Sequence, residues 1–281
     1  MNKAVFRPLK KVFRRFYESM GFVFYTHPQT YRVIYRVILH NPTFRRQSGF
    51  LVVPIPSETL TQQFLAKPSF SSSEVLIQKE SQFGNSYATW TIDLAPDATA
   101  LYEEKFEMRV APEGIEGATM DPRLQEINDF VIATLEYGDP IPGLYSAEEA
   151  LKRRRVDCGG FGTLFCARCQ EAGIQARLVS GFWAGYPKNE MHAWVEALSP
   201  EGQWIPADPS VEQLLRQGRT RKSGRLGFAG SDRIALSFGH YFPILIDGRT
   251  VTVDILQNPM VVPREAKEAL QMTSEFITSR A

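Results

Sequence analysis

Between residues 31 and 112 the hydrophobic positions fall in short β-rich runs, at 31–39, 50–55, 75–78, 87–94 and 105–110. Each run is rich in β-branched and aromatic residues. Turn-forming groups separate them: Asn41-Pro42, Ser48-Gly49, the prolines at 54 and 56, the stretch 70–73 and Gly84-Asn85. Strands at this spacing, with no helix between them, predict a small β-sandwich. From residue 121 the period changes. Asp121-Pro122 offers an N-cap acceptor and a first-turn proline, and Leu124, Ile127, Val131 and Leu135 continue at helical spacing. Ser146 and Glu149 form a capping box for a short second helix through Leu151. A third helix starts near Cys158, with Phe161, Leu164, Phe165, Cys169 and Ala172 on one side, and stops at Ala172-Gly173. Extended runs return at 174–182, 190–198 and 203–208, the last two joined by a turn over 199–202. Two late strands, 237–246 and 249–256, flank Asp247-Gly248, a strong hairpin signal. The tail from Pro263 reads as helical and charged. The fold class is therefore α+β. A β-sandwich domain over 31–115 precedes a second domain over 116–281, in which helices pack on an antiparallel sheet.

Composition narrows the function classes. The 281 residues are 43% hydrophobic and 22% charged, with a formal net charge of +1, so no global field draws the chain to nucleic acid. The basic residues are instead local. Residues 1–30 form a segment whose first 20 positions hold six Lys/Arg and only Glu18 as an acid. Phe6, Leu9, Phe13, Phe16 and Tyr17 recur there at helical spacing. A terminal helix docked on its own protein accounts for that stripe more simply than contact with a membrane surface. Residues 216–225 hold Arg216, Arg219, Arg221, Lys222 and Arg225 without an acid, which reads as a solvated loop. Three cysteines, all between 158 and 169, build no disulfide framework and suit a reducing compartment. No apolar run nears the roughly 18 residues of a spanning helix. A cytoplasmic protein is expected, and the sequence leaves its oligomeric state open.

The chemistry concentrates in residues 156–210. Cys158 sits between Asp157 and Gly159-Gly160 at a helix start. A helix N-terminus or a neighbouring imidazolium lowers a thiol pKa. The two glycines leave room for backbone to approach a substrate and turn N–H groups toward an oxyanion. If strands 190–198 and 203–208 pair about a turn centred on Pro200, opposite positions sum to about 400, and His192 faces Asp208. The acid then fixes the ring tautomer. Trp194 and Glu196 share that face, and Met191, Ala193 and Val195 face the core. His240, beside Gly239, is a rival base and a cleft candidate. Cys166 and Cys169 form a CxxC inside a helix with no second pair and no nearby His, so packing rather than metal binding is their reading. No cofactor is called for.

In order along the chain, several linked stretches resemble the transglutaminase-like superfamily of papain-like cysteine enzymes. They are the helix at 146–151, Asp157-Cys158-Gly159-Gly160, residues 172–181, His192-Ala193-Trp194-Val195-Glu196, and Trp204-Ile205-Pro206-Ala207-Asp208-Pro209. The resemblance spans roughly 124–210, and the β-rich front half looks like the N-terminal domain of bacterial members. It implies Cys158 as nucleophile, His192 as general base and acid, and Asp208 as the orienting acid, with Gly159, Trp194 and His240 lining the cleft. Gln170 and Gln175 stand where the family usually has arginine and proline. Those departures bear on subfamily, since both lie off the triad. The function implied is hydrolysis of a peptide or protein amide through a thioester. Transfer to an amine, and a non-catalytic protein-binding module, stand as alternatives.

Overall fold

The computed structural model describes residues 25–114, 119–264 and 270–281, so the basic stripe of the first 20 residues lies outside the described residues. The front half builds strands β1 (Gln29–His40), β2 (Gln47–Ile55), β3 (Gln62–Phe70), β4 (Leu76–Lys79), β5 (Ser86–Leu94) and β6 (Thr99–Val110). Helices α1 (Pro122–Thr134), α2 (Ala147–Arg153) and α3 (Cys158–Glu171) follow, then strands β7 (Ala176–Trp183), β8 (Met191–Leu198) and β9 (Trp204–Ala207). Helix α4 (Pro209–Arg216), β10 (Arg233–Phe238), the hairpin β11 (Phe242–Ile246) and β12 (Arg249–Val253), then β13 (Met260–Pro263) and β14 (Gln271–Arg280) follow, with two-residue strands at 113–114, 136–137, 155–156 and 228–229 besides.

Two antiparallel four-stranded sheets, ordered β14-β1-β6-β3 and β13-β2-β5-β4, enclose the sandwich core. The period-2 pattern of β1 sends Tyr31, Val33, Tyr35, Val37 and Leu39 inward, against Leu51, Val53, Trp90, Ile92, Phe106 and Met108. Strand β3 was not legible as a strand. Its Pro68 and polar residues suit an edge, where its pairing with β6 shifts register twice.

The tail corrects the sequence reading twice over. Its described residues form strands, not a helix, and β13 and β14 pair with β2 and β1 rather than with the second half. A boundary drawn at 115/116 thus assigns to the rear half a pair of strands that complete the front sheets. Phe276 explains the outcome physically. Its ring stacks at 3.8 Å on Tyr35 of β1 and at 3.8 Å on Phe182 of β7. A helix in that place would leave a sheet edge unpaired and this slot empty.

The rear half is a four-stranded antiparallel sheet, β9-β8-β7-β10. Helix α3 covers one face, burying Phe161, Leu164, Phe165, Cys166 and Cys169 against Leu178, Ala193, Val195 and Ala197. Both CxxC sulfurs are therefore core atoms. The expected strand 237–246 is broken into β10 and β11, because Gly239 takes φ +78° between them. The hairpin β11–β12 packs Phe242, Ile244, Ile246 and Val253 on the outer face of β2 and β5, against Phe50, Val52 and Tyr87. Among the described residues no helix is long and apolar enough to cross a membrane.

Candidate active site

The cysteine is presented by a capped helix. Asp157 is the N-cap of α3, and its Oδ1 accepts from the Gly160 N–H at 3.1 Å. Its Oδ2 accepts from the Ile141 N–H at 3.3 Å, which ties the loop before α2 to the helix start. Cys158 occupies the first helical position and is half-buried. The glycines serve packing more than substrate access. A Cβ on Gly160 would lie 2.7 Å from a Val156 methyl, and one on Gly159 2.8 Å from a Leu144 methyl.

The imidazole and the carboxylate come together as the residues predicted, through a different register. Strands β8 and β9 pair Val195 with Ala207 and Leu198 with Trp204, so opposite positions sum to 402 rather than 400. The turn is centred on Glu201, with Gly202 at φ +81° closing a three-residue loop whose Ser199 N–H donates to the Gln203 carbonyl at 2.8 Å. Asp208 lies beyond the paired part of β9 and caps helix α4 instead. The slip by two keeps the same face, and the departing chain swings the carboxylate back to the ring. His192 Nε2 donates to Asp208 Oδ2 at 2.7 Å, with both side chains almost fully buried. Asp208 Oδ1 accepts from the Val211 N–H at 3.0 Å and the Ser210 hydroxyl at 2.9 Å. The carboxylate is thus pinned at both oxygens.

Three further residues complete the setting, and sequence reading missed all of them. Arg233 of β10, also buried, donates from Nη1 to Asp208 Oδ2 at 2.6 Å. Trp183 of β7 stacks on the His192 ring at 4.4 Å. Gln257 donates from one amide nitrogen to the Gly181 carbonyl at 3.0 Å and the His192 carbonyl at 2.8 Å, fixing the main chain of the histidine. The charges that follow are one-sided. Burial alone would raise the Asp208 pKa, but the charges and hydrogen bonds of His192 and Arg233 overcome it and hold the carboxyl well below its usual range. Burial lowers the His192 pKa in spite of Asp208. Burial, with the neighbouring Asp157 charge, pushes the Cys158 thiol up to about 12 even though backbone N–H groups of Ala193 and Gly159 point at it. The helix start therefore does not outweigh desolvation at the thiol.

Cys158 and Gly159 line a cleft of about 520 Å³, with Tyr137, Leu144, Met191 and Ala193 on its walls and Thr252, Asp254 and Gln257 opposite. Trp194 is elsewhere. It is buried behind His192, 6.0 Å between ring centroids, beneath the Arg233 guanidinium. His240 lines a different depression with Ser146, Cys166 and Gln170. Neither faces the thiol, because Trp194 points to the side of the sheet away from α3 and the turn at Gly239 carries His240 past the sheet end. Among the described residues no group of three His, Cys, Asp or Glu side chains could hold a metal ion.

Residues 112–209 match the model of the transglutaminase-like superfamily. In fold the chain is similar to a candidate cysteine protease from Cytophaga hutchinsonii, with a TM-score of 0.54 and 13% identity over 89% of this chain and 91% of that one. A candidate protease from Parabacteroides distasonis overlaps more loosely, at a TM-score of 0.27 and 11% identity over 62% of this chain and 46% of that one. No curated protein matches the sequence.

Proposed function

We propose that this chain, whose residues 112–209 belong to the transglutaminase-like superfamily, is a cysteine hydrolase that cleaves a peptide or isopeptide amide. The observation that carries the reading is the buried His192–Asp208 pair, whose histidine is next in sequence to the residue whose N–H meets the Cys158 thiol. With Nε2 committed to Asp208, Nδ1 is the ring nitrogen left to exchange a proton with sulfur. As Sγ attacks the amide carbon, its proton passes to Nδ1, and the carbonyl π pair moves to oxygen. The Cys158 N–H is the oxyanion donor we assign. The Gly160 N–H is taken by Asp157 Oδ1 and the Phe161 N–H by the Asp157 carbonyl. Collapse breaks the C–N bond, and the amine leaves with the imidazolium proton. Water then attacks the thioester, gives one proton to Nδ1 and releases the acid, and the sulfur recovers its proton. Asp208, held ionised, stabilises the imidazolium in each half-reaction.

The test is a peptide-library digestion in H₂¹⁸O with wild type and Cys158→Ala, read by mass spectrometry. New termini carrying ¹⁸O with wild type alone are expected. Loss of ¹⁸O to an added primary amine would mean acyl transfer instead. No turnover and no covalent capture of a peptide electrophile at Cys158 would end the reading in favour of a binding module.

A further inference from the structure

We infer that Arg233 is a positioning residue of this site, a second cation on the catalytic carboxylate that shares its oxygen with His192, weakens the pull of Asp208 on the ring and locks the basic loop over the pair. The inference rests on the proposed hydrolytic role of the site for its purpose, though not for its geometry. Arg233 Nη1 and His192 Nε2 converge on one oxygen, Asp208 Oδ2, at 2.6 and 2.7 Å. Two donors sharing one acceptor divide its negative charge, so the pull of Asp208 on an imidazolium is weaker than in an isolated pair. An arginine suits this place because its charge does not titrate and its planar fork reaches two acceptors at once. The second nitrogen, Nη2, donates to the Ser223 carbonyl.

The surroundings hold the guanidinium in that pose. Its carbon lies 4.3 Å from the Trp183 ring centroid and 5.1 Å from that of Trp194, the two indoles that also flank the histidine. The loop above is fastened through the same residues. Ser223 donates from N–H and hydroxyl to Asp232 at 3.1 and 2.7 Å, and Tyr186 donates to Asp232 at 2.8 Å. Lys222 lies over Trp183 and pairs with Glu190 at 3.0 Å. Gly224, at φ +151°, leaves no space for a side chain: a Cβ there would stand 2.7 Å from Arg233 Nη2 and 2.8 Å from Asp208 Oδ2. The segment read from sequence as a solvated basic loop is, at 222–224, the lid of the acid.

The charged groups facing His192 are Asp208 from the end of β9, Arg233 from β10 and Lys222 from the loop. Both cations oppose protonation of the ring, and only Asp208 favours it.

The experiment is an NMR titration of the histidine rings in wild type, Arg233→Gln and Arg233→Lys, with His192→Gln to assign the resonance. It needs no substrate, so it is separable from the reaction itself. Arg233→Gln should raise the His192 pKa by about one unit or more, the scale of losing one adjacent charge. It should also slow capture of a peptide aldehyde or vinyl sulfone at Cys158 about tenfold or more near pH 7. Arg233→Lys keeps a charge without the fork. Its ring pKa should fall between the other two, with capture slowed to a lesser degree. A ring pKa unmoved in folded Arg233→Gln overturns the inference. If that variant does not fold, Arg233→Lys decides: wild-type ring pKa together with wild-type capture rate overturns it. A moved pKa without any hydrolytic activity in wild type would leave the role of Arg233 intact and remove the reaction proposed for the site.

Discussion

Desolvation drives a buried thiol and a buried imidazole toward their uncharged forms. Cys158 is pushed up to about 12 by burial and by Asp157, while burial lowers His192. Iodoacetamide alkylation of Cys158 should therefore climb steadily from pH 6 to pH 10, with no thiolate plateau in the acidic range. A plateau already present at pH 6 would contradict it. A second buried acid makes a pH-dependent contribution to stability. Glu104 points into the sandwich core with neither carboxyl oxygen hydrogen-bonded, and burial raises its pKa well above the ordinary value. The folded state thus retains a proton that the unfolded chain releases near pH 4 to 5. Its contribution is fully present below that range and declines as pH rises, by about 1.4 kcal/mol per unit until the folded group itself ionises. Glu104→Gln should flatten the fall in denaturation midpoint between pH 5 and pH 8. Of the site itself, Cys158, His192 and Asp208 were legible because each sits in a local signature: a glycine-rich helix start, and two arms of one hairpin. Arg233 and Gln257 were not. They reach the site from a strand and a loop beyond it, and no spacing in the sequence marks an arginine or a glutamine that will turn inward.

Elements account for more of what the sequence left open. Alternation along β8 placed Ala193 and Val195 against α3 and Trp194 on the other side, as found, whereas Met191 packs against the sandwich core and lines the cleft. The register was two residues off, because the turn was placed on Pro200 when Gly202 sets its geometry. The tail failed for another reason. Residues 271–280 alternate weakly, and most of their side chains remain exposed, so only pairing with β1, more than 200 residues earlier, makes them a strand. That pairing centres on Phe276, stacked between Tyr35 and Phe182. Its ring links the sandwich to the sheet that bears His192. Phe276→Ala should then cost about 3 to 5 kcal/mol, the usual range for a buried phenylalanine, seen as a lower urea midpoint. Because β7 neighbours β8, the loss should also slow capture of an electrophile at Cys158. A fall in stability below about 1 kcal/mol, far under that range, would show that the tail is only laid on the surface.

At the scale of the whole molecule, the cleft is built where the two halves of the chain meet: α3 and its preceding loops form one wall, and the segment 252–260, from the end of β12 to the start of β13, forms the other. The return of the tail to the front sandwich is what holds that second wall in place. Its charge is the most direct guide to what enters. Among the described residues the charged groups lining the cleft are Asp157 and Asp254, with no lysine or arginine. Asp157 is engaged by backbone N–H groups. Asp254 is exposed and presents a carboxylate beside Gly143 at the rim. An incoming amide flanked by lysine or arginine would therefore meet attraction, and one flanked by glutamate repulsion. At an exposed site this is worth about 1 kcal/mol, or roughly fivefold, and is screened by salt. In matched peptides differing only at the residue beside the scissile bond, kcat/KM should favour lysine over glutamate at low ionic strength. Asp254→Lys should reverse the order while leaving a peptide with neutral flanks within about twofold. Equal treatment of all three peptides by both proteins would mean that recognition lies in the apolar walls, Leu144 and Met191 foremost, and not in the charge at the rim.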